Sequence, residues 1–148
     1  MAKWEDSAHA KATIDLDTKK AKEYAAKLKI SDPMKSDLCL SCHLTAHGVS
    51  EDRLLETFTG DQGIECEVCH GPGSLYLEAH KKKDRSMTDL FAKGLRPLQT
   101  KEQIRQLCAQ CHEADQQWDK LKSSGHPQLD RLPFAEAAKK IAHPKPES

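Results

Sequence analysis

The chain has few of the large apolar side chains from which folded proteins build a core. Leu, Ile, Val and Phe together make up 26 of its 148 residues, or about 18%. A share below roughly 20%, combined with a high net charge, is typical of disordered chains. Here, however, 23 basic residues balance 23 acidic ones. Either part of the chain is unstructured, or something other than side chains fills its interior.

A basic excess and a long apolar run are also missing, and each absence excludes a class of protein. The zero net charge lacks the basic excess that marks nucleic-acid-binding proteins. No apolar run approaches the roughly 20 residues that a membrane-spanning helix needs. We therefore expect neither a nucleic-acid partner nor a membrane span, and the length favours a single domain over residues 1–148.

All six cysteines occur in three pairs of the same spacing, and a histidine follows each pair directly. Cys-x-x-Cys-His is the attachment signature of c-type haem. Two thiols one helical turn apart can add to the two vinyl groups of one haem, and the adjacent histidine then reaches the iron. We therefore expect three haem c groups. Their attachment residues are Cys39, Cys42, Cys66, Cys69, Cys108 and Cys111, and their proximal ligands are His43, His70 and His112.

Other uses of paired cysteines fit this pattern less well. A structural zinc ion needs four ligands, so three pairs would leave one pair unmatched. Thioredoxin-like chemistry needs one pair on a βαβ unit, which this sequence does not show. Disulfides would not require the histidine after each pair. Three haems also account for the thin core, because each is a large, flat, apolar body on which side chains can pack.

The remaining patterns predict a mainly α protein, with short helices and long loops wrapped around three covalently bound haems and few or no strands. A stretch rich in Ala, Lys and Glu predicts a first helix from about Glu5 to Leu28. Acidic residues predict a short helix near Glu51–Glu56. Ser74 is expected to cap another helix that runs to about His80.

In the C-terminal half, Ser86 predicts a helix start and Gly94 its end. Thr100–Gln103 has the form of a capping box, which opens the helix of the third cysteine pair. We expect that helix to end at Ser123–Gly125, and a last helix to run from Pro133 to about Ala142. One face of the third-site helix is expected to turn to a haem; its residues are Ile104, Leu107, Cys108 and Cys111.

Five histidines remain after the proximal ligands are assigned: His9, His47, His80, His126 and His143. Neutral imidazole is the commonest metal ligand, so bis-histidine ligation of all three irons is possible with two histidines to spare. His47 lies only four residues after the first proximal histidine, so it does not easily reach the opposite face of the same iron. It would serve another haem or lie near a vacant distal face. His80 adjoins the basic run Lys81–Lys83, and His143 lies near the C-terminus.

Three stretches stand out together: Trp4–Ala12, the first Cys-x-x-Cys-His segment, and Gly63–Gly73, which contains Glu-Cys-Glu-Val-Cys-His-Gly-Pro-Gly. They resemble the multihaem cytochrome c-554 family, tetrahaem electron carriers of nitrogen metabolism and their relatives. The resemblance covers most of residues 4–112. The family's usual first haem motif precedes the block that begins at Trp4, and only three residues stand there in this chain. The chain therefore resembles a trihaem version without that site.

The resemblance implies a set of distal ligands. His9 would serve the haem on the third cysteine pair, and His126 or His143 would serve the haem on the second pair. The position of His80 serves the haem that this chain lacks. The haem that matches the first pair is five-coordinate in the best-known member, so His47 or His80 becomes a candidate for its sixth position.

Taken together, the sequence predicts electron transfer between a redox donor and an acceptor, through close haems that are mostly bis-histidine ligated. Two alternatives stay open. One is a small redox enzyme with an open iron on the Cys39/Cys42 haem that acts on a small nitrogen oxide, and the other is a subunit of a larger multihaem assembly or filament. Haem c is attached outside the bacterial cytoplasm, so we expect a periplasmic or extracellular protein. Met1–Asp6 shows no apolar signal segment, and we expect that one was removed or that the numbering was restarted after it.

Overall fold

The chain folds into short helices joined by turns and loops. The computed structural model describes residues 2–112, 115–126 and 134–141, and this part of the chain contains no strand. The expected mainly α architecture is confirmed. Within these ranges, none of the helices is both long enough and apolar enough to cross a membrane. The helices are α1 (Ala2–Glu5), α2 (Ala12–Asp15), α3 (Lys19–Lys27), α4 (Asp37–His43), α5 (Cys66–His70), α6 (Leu77–His80), α7 (Met87–Ala92), α8 (Lys101–His112), α9 (Asp115–Ser124) and α10 (Phe134–Ile141).

The single long helix predicted for Glu5–Leu28 is wrong. The structure divides this stretch into α1, α2 and α3, with turns between them. The Thr18 hydroxyl donates to the carbonyl of Asp15 at 2.7 Å and accepts from the amide of Ala21 at 3.2 Å, so Thr18 caps α3. Helix-forming composition alone does not reveal such a cap, because the same residue also fits a helix interior.

Two predicted short helices also differ from the structure. The stretch Glu51–Glu56 forms only a 3₁₀ turn over Glu51–Arg53. Ser74 lies inside a second 3₁₀ turn, Gly73–Leu75, and α6 begins after it with no side-chain cap. The turn before Ser74 is held by the hydroxyl of Tyr76, which donates to the carbonyls of His70 and Gly71, six and five residues earlier.

The caps predicted in the C-terminal half are confirmed. The Ser86 hydroxyl accepts from the amide of Asp89 at 3.4 Å and caps α7, and Gly94 follows α7 with a positive φ of 103°. Thr100 and Gln103 form the capping box ahead of α8. In it, the Gln103 amide donates to Thr100 Oγ1 at 3.2 Å, and the Thr100 amide donates to Gln103 Oε1 at 2.9 Å.

The helix expected to run from this capping box to Ser123–Gly125 corresponds to α8 and α9. The two residues between these helices lie outside the described residues. The last predicted helix corresponds to α10. The expected limits of that helix, Pro133 and Ala142, lie outside the described residues.

The hydrophobic interior of the polypeptide is small. The chain exposes 11125 Å² of surface, whereas a folded monomer of this mass exposes roughly 7,600 Å². Several large apolar side chains are about two-thirds exposed, among them Ile14, Leu55 and Leu75. The buried hydrophobic residues of the described part are Ala12, Leu16, Ala25, Tyr76 and Leu90. The polypeptide therefore leaves apolar surface for a further body to cover, which agrees with the prediction from composition.

The N-terminal segment is hydrogen-bonded to the loop that precedes the second cysteine pair. The amide of Ile64 donates to the carbonyl of His9 at 2.8 Å, and the indole of Trp4 donates to the carbonyl of Ile64 at 2.9 Å. Gly63 permits this approach, because a Cβ at that position would collide with the His9 carbonyl oxygen. The backbone of a candidate ligand is thus fixed against the loop that leads into another cysteine pair.

Replacing Thr45 by valine is expected to destabilise the protein by about 1–3 kcal/mol. The buried Thr45 hydroxyl donates to the carbonyl of Gly63 at 2.6 Å and accepts from the amide of Glu65 at 2.7 Å. Valine keeps the shape but leaves the Glu65 amide without that acceptor. Thermal unfolding of the haem-loaded protein measures the loss, with Thr57→Val at an exposed position as the matched control. Equal stability of the two variants would contradict this role of the hydroxyl.

Candidate functional site

The first cysteine pair lies on α4, whose last residue is held against α2. Nδ1 of His43 lies 2.7 Å from the carbonyl oxygen of Ala12, so this nitrogen carries the proton and donates it. A histidine fixed in this way keeps Nε2 for a metal, and metal-bound histidines are commonly oriented by such a bond. The buried Thr13 hydroxyl donates to the His43 carbonyl at 2.6 Å and to the Gln62 carbonyl at 3.1 Å. Helix α2 therefore sets the orientation of the first predicted proximal ligand.

The second cysteine pair lies on α5, which ends at His70. Gly71 follows with a positive φ of 81°, and a Cβ there would collide with the carbonyl oxygen of Gly94. The hydroxyl of Tyr76, which is 7% exposed, donates to the carbonyls of His70 at 3.2 Å and Gly71 at 3.1 Å. Tyr76 thereby closes the turn that positions the second predicted proximal ligand.

Two charged residues hold the same segment through its main chain. The backbone amide of Arg96 donates to the carbonyl of His70 at 2.9 Å, and its guanidinium donates to the carbonyl of Val68 at 2.7 Å. Glu67 accepts from the amide of Gly73 at 2.7 Å. Sequence reasoning missed these contacts because each side chain acts on main-chain atoms, for which no spacing pattern exists.

The third cysteine pair lies in the last turns of α8. The predicted amphipathic face is confirmed, because one side of this helix is half-buried and the other is exposed. The half-buried side carries Ile104, Leu107, Cys108 and Cys111, and the exposed side includes Arg105, Gln106 and Gln110.

Cysteines of different pairs are neighbours in space. Cys42 and Cys111 lie close enough to interact, and this interaction lowers the pKa of Cys42 to about 6 and raises the pKa of Cys111. Burial is the main cause of the raised pKa of Cys69, and the charge of Cys108 adds to it. None of the six cysteines forms a disulfide. The third pair therefore adjoins both the first and the second.

His9 faces His112, the histidine of the third pair. Their ring centroids are 6.0 Å apart, and the ring planes are inclined by 71°. Two metal–nitrogen bonds of about 2.0 Å, with the two ring radii added, give a centroid separation of roughly 6 Å across one metal ion. Burial lowers the pKa of His9, which favours the neutral imidazole that ligation requires. His9 and His112 would therefore be the residues that hold the iron of a haem attached to Cys108 and Cys111.

His126 lies beside the first cysteine pair. Its ring centroid is 6.2 Å from that of His43, with the planes inclined by 80°, and 5.9 Å from that of Tyr24. The resemblance assigned His126 or His143 to the haem of the second pair. The structure instead brings His126 to the histidine of the first pair, and no spacing in the sequence indicated this.

The three other candidate ligands have different surroundings. Nε2 of His47 lies 3.3 Å from the carboxylate of Asp37 at the start of α4. His80 is exposed at the end of α6. His143 lies outside the described residues.

A cavity of about 550 Å³ opens beside Cys66. Its lining combines the apolar side chains of Trp4, Ala10 and Ile14 with three carboxylates, those of Glu5, Asp61 and Glu65. The volume lies in the range of about 300–1,000 Å³ that is common for cofactor sites. Only its apolar side suits a flat organic group at the second pair.

Comparison with known proteins agrees with this chemistry. A family model described as cytochrome c554 and c-prime matches residues 1–71. Cytochrome c-554 of Nitrosomonas europaea is 30% identical over 118 residues, which cover 74% of this chain and 50% of the relative. Over these stretches the chain is similar to the cytochrome c-554 family. It spans about half the length of that curated relative, and no solved structure matches it significantly.

This similarity bears on the cofactor class. The family consists of c-type cytochromes, a class in which haem c is bound covalently. The prediction of haem c from the Cys-x-x-Cys-His segments is confirmed at this level. The family is consistent with electron transfer.

Tyr76→Phe is expected to lower the free energy of unfolding by about 0.5–1.5 kcal/mol, because it removes the hydrogen bonds to the carbonyls after α5. Thermal unfolding of the haem-loaded protein provides the measurement. Tyr24→Phe is the matched control, since it removes a hydroxyl from a half-buried ring elsewhere. If both variants lose the same stability, the Tyr76 hydroxyl has no special role in this turn.

Proposed function

We propose that the protein is a single-domain trihaem cytochrome that transfers electrons between redox partners through closely spaced haems. Haem c supplies a one-electron Fe(III)/Fe(II) couple at each site. In this proposal the cysteine pairs attach the haems, and the histidine after each pair is the proximal ligand. The residues concerned are Cys39, Cys42, His43, Cys66, Cys69, His70, Cys108, Cys111 and His112.

The observation that carries this proposal is that the three cysteine pairs lie close together in space. Cys42 of the first pair and Cys111 of the third lie close enough to shift each other's pKa, and the charge of Cys108 in the third pair reaches Cys69 in the second. Because each pair marks one edge of its own haem, contacts between pairs bring the edges of different haems close together. Transfer of single electrons from one haem to the next requires the haems to lie close together.

The chain's own residues hold the axial imidazoles rigidly. The Ala12 carbonyl fixes the ring of His43, and the amide of Ile64 fixes the backbone of His9. Ligands held in place before the reaction rearrange little when the charge on the metal changes. Such an arrangement favours electron transfer over the binding of a substrate at iron.

The partners in this proposal are redox proteins that donate and accept single electrons. The site of action is the periplasm or the exterior of the cell, because c-type haem is attached there. We also propose His9 as the distal ligand of the haem on Cys108 and Cys111, on the strength of its separation from His112.

The proposed function is tested by counting the haems and the electrons that each chain carries. We expect the mass of the purified, exported protein to exceed that of its polypeptide by three haems, and a reductive titration to consume three electrons per chain. We also expect an oxidised c-type cytochrome, used as a probe acceptor, to remove these electrons again. Fewer than three haems, or catalytic turnover of nitric oxide by the oxidised or reduced protein, would contradict the proposal.

His9→Ala is expected to convert one low-spin iron per chain into a high-spin iron, because it removes the imidazole that faces His112. Low-temperature paramagnetic resonance of the oxidised protein counts the two spin states. His80→Ala is the matched control, since His80 is exposed at the end of α6. The same spin count in both variants would show that His9 binds no iron.

A further inference from the structure

We infer that His126 is the sixth ligand of the iron whose fifth ligand is His43, so that the haem of the first cysteine pair has no open position. This inference rests on the proposed function. It goes further, because it assigns a ligand from the C-terminal part of the chain to the haem for which the resemblance implied a five-coordinate iron.

The first argument is the separation of the two imidazoles. The ring centroids of His126 and His43 are 6.2 Å apart, close to the 6.0 Å between His9 and His112. In both pairs the planes are steeply inclined, at 80° and 71°. Two metal–nitrogen bonds of about 2.0 Å with two ring radii span this distance. The pair His43–His126 therefore has the same spacing as the pair that fits the third haem.

The second argument is that hydrogen bonds at the end of α9 fix the backbone at His126. The amide of His126 donates to the carbonyl of Leu121 at 3.3 Å, and the amide of Gly125 donates to that of Lys122 at 3.0 Å. With Gly125 at a φ of 80°, these bonds form a complete Schellman motif. The positive φ at position 125 suits glycine. The motif turns the chain so that His126 no longer follows the helix axis.

The third argument is an anchor from a distant helix. Nζ of Lys27, on α3, donates to the carbonyl of Ser124 at 2.9 Å, and the Ser124 side chain is 1% exposed. The Tyr24 ring, on the same helix, lies 5.9 Å from that of His126. The end of α9 is therefore fixed to α3, and the position of His126 does not depend on its own segment alone.

The other candidates are less suited to this position. His47 has its Nε2 directed to the carboxylate of Asp37 at 3.3 Å. His80 is exposed and lies in α6, beside three lysines. The Nδ1 of His43 is engaged by the Ala12 carbonyl, so Nε2 is the nitrogen of that ring available to a metal.

The test compares His126→Ala with His47→Ala in the haem-loaded protein. We expect His126→Ala to add one high-spin ferric iron per chain in low-temperature paramagnetic resonance, and to let the reduced protein bind one additional carbon monoxide. Added imidazole should restore the low-spin state. His47→Ala, which removes another histidine near the first pair, should change neither reading.

A second measurement identifies the haem concerned. Nuclear Overhauser contacts from the carbon monoxide-bound haem of His126→Ala should reach the thioether protons of Cys39 and Cys42. Contacts to Cys66 and Cys69 instead would overturn the inference, as would a first haem that is already high-spin in the unaltered protein. If His126→Ala does not assemble, His126→Met should keep the iron low-spin and raise its potential, because a Met/His pair raises haem potentials. An unchanged potential in that variant would overturn the inference.

These outcomes separate the inference from the proposed function. A protein with three haems whose spin states ignore His126→Ala contradicts the ligand assignment and leaves the trihaem electron carrier intact. A protein that carries fewer than three haems contradicts the proposed function itself.

Discussion

The hydrogen bond from His43 to the carbonyl of Ala12 is the contact on which the arrangement of the site depends. It couples α2 to α4, and the buried Thr13 hydroxyl extends the same junction to Gln62. Ala12 and Thr13 of α2 both take part in this junction, so the short N-terminal helices are tied to the helix of the first cysteine pair. The separate cap at Thr18 begins α3.

Because the apolar interior is small, these polar contacts contribute a large share of the stabilisation of the fold. With few buried hydrophobic side chains in the described part of the chain, hydrogen bonds from Tyr76, Thr45 and Arg96 hold segments that a larger core would hold by packing. A group attached to the chain that buries exposed apolar side chains stabilises the folded state by about 25 cal/mol per Å² covered. Haem attachment and folding are thus linked in a c-type cytochrome of this composition.

The sequence predicted local features well and long-range ones poorly. The capping box at Thr100 and Gln103 and the half-buried stripe of α8 followed from short patterns, and the structure confirms both. The haem chemistry followed from a motif whose meaning is fixed by the reach of two thiols and one imidazole. The break at Thr18 could not be foreseen, because its hydroxyl fits a helix interior as well as a cap. The position of His126 depends on Lys27, nearly a hundred residues earlier in the chain, and no periodicity connects such residues.

The close backbone approach at Gly63 couples the second cysteine pair to the third. The Ile64 amide is bonded to the carbonyl of His9, and two residues later the chain enters the second cysteine pair. A shift of this loop is therefore transmitted through a single peptide to the imidazole of His9, which faces the histidine of the third pair. With haems at both pairs, as proposed, each would have a potential that depends on the oxidation state of its neighbour.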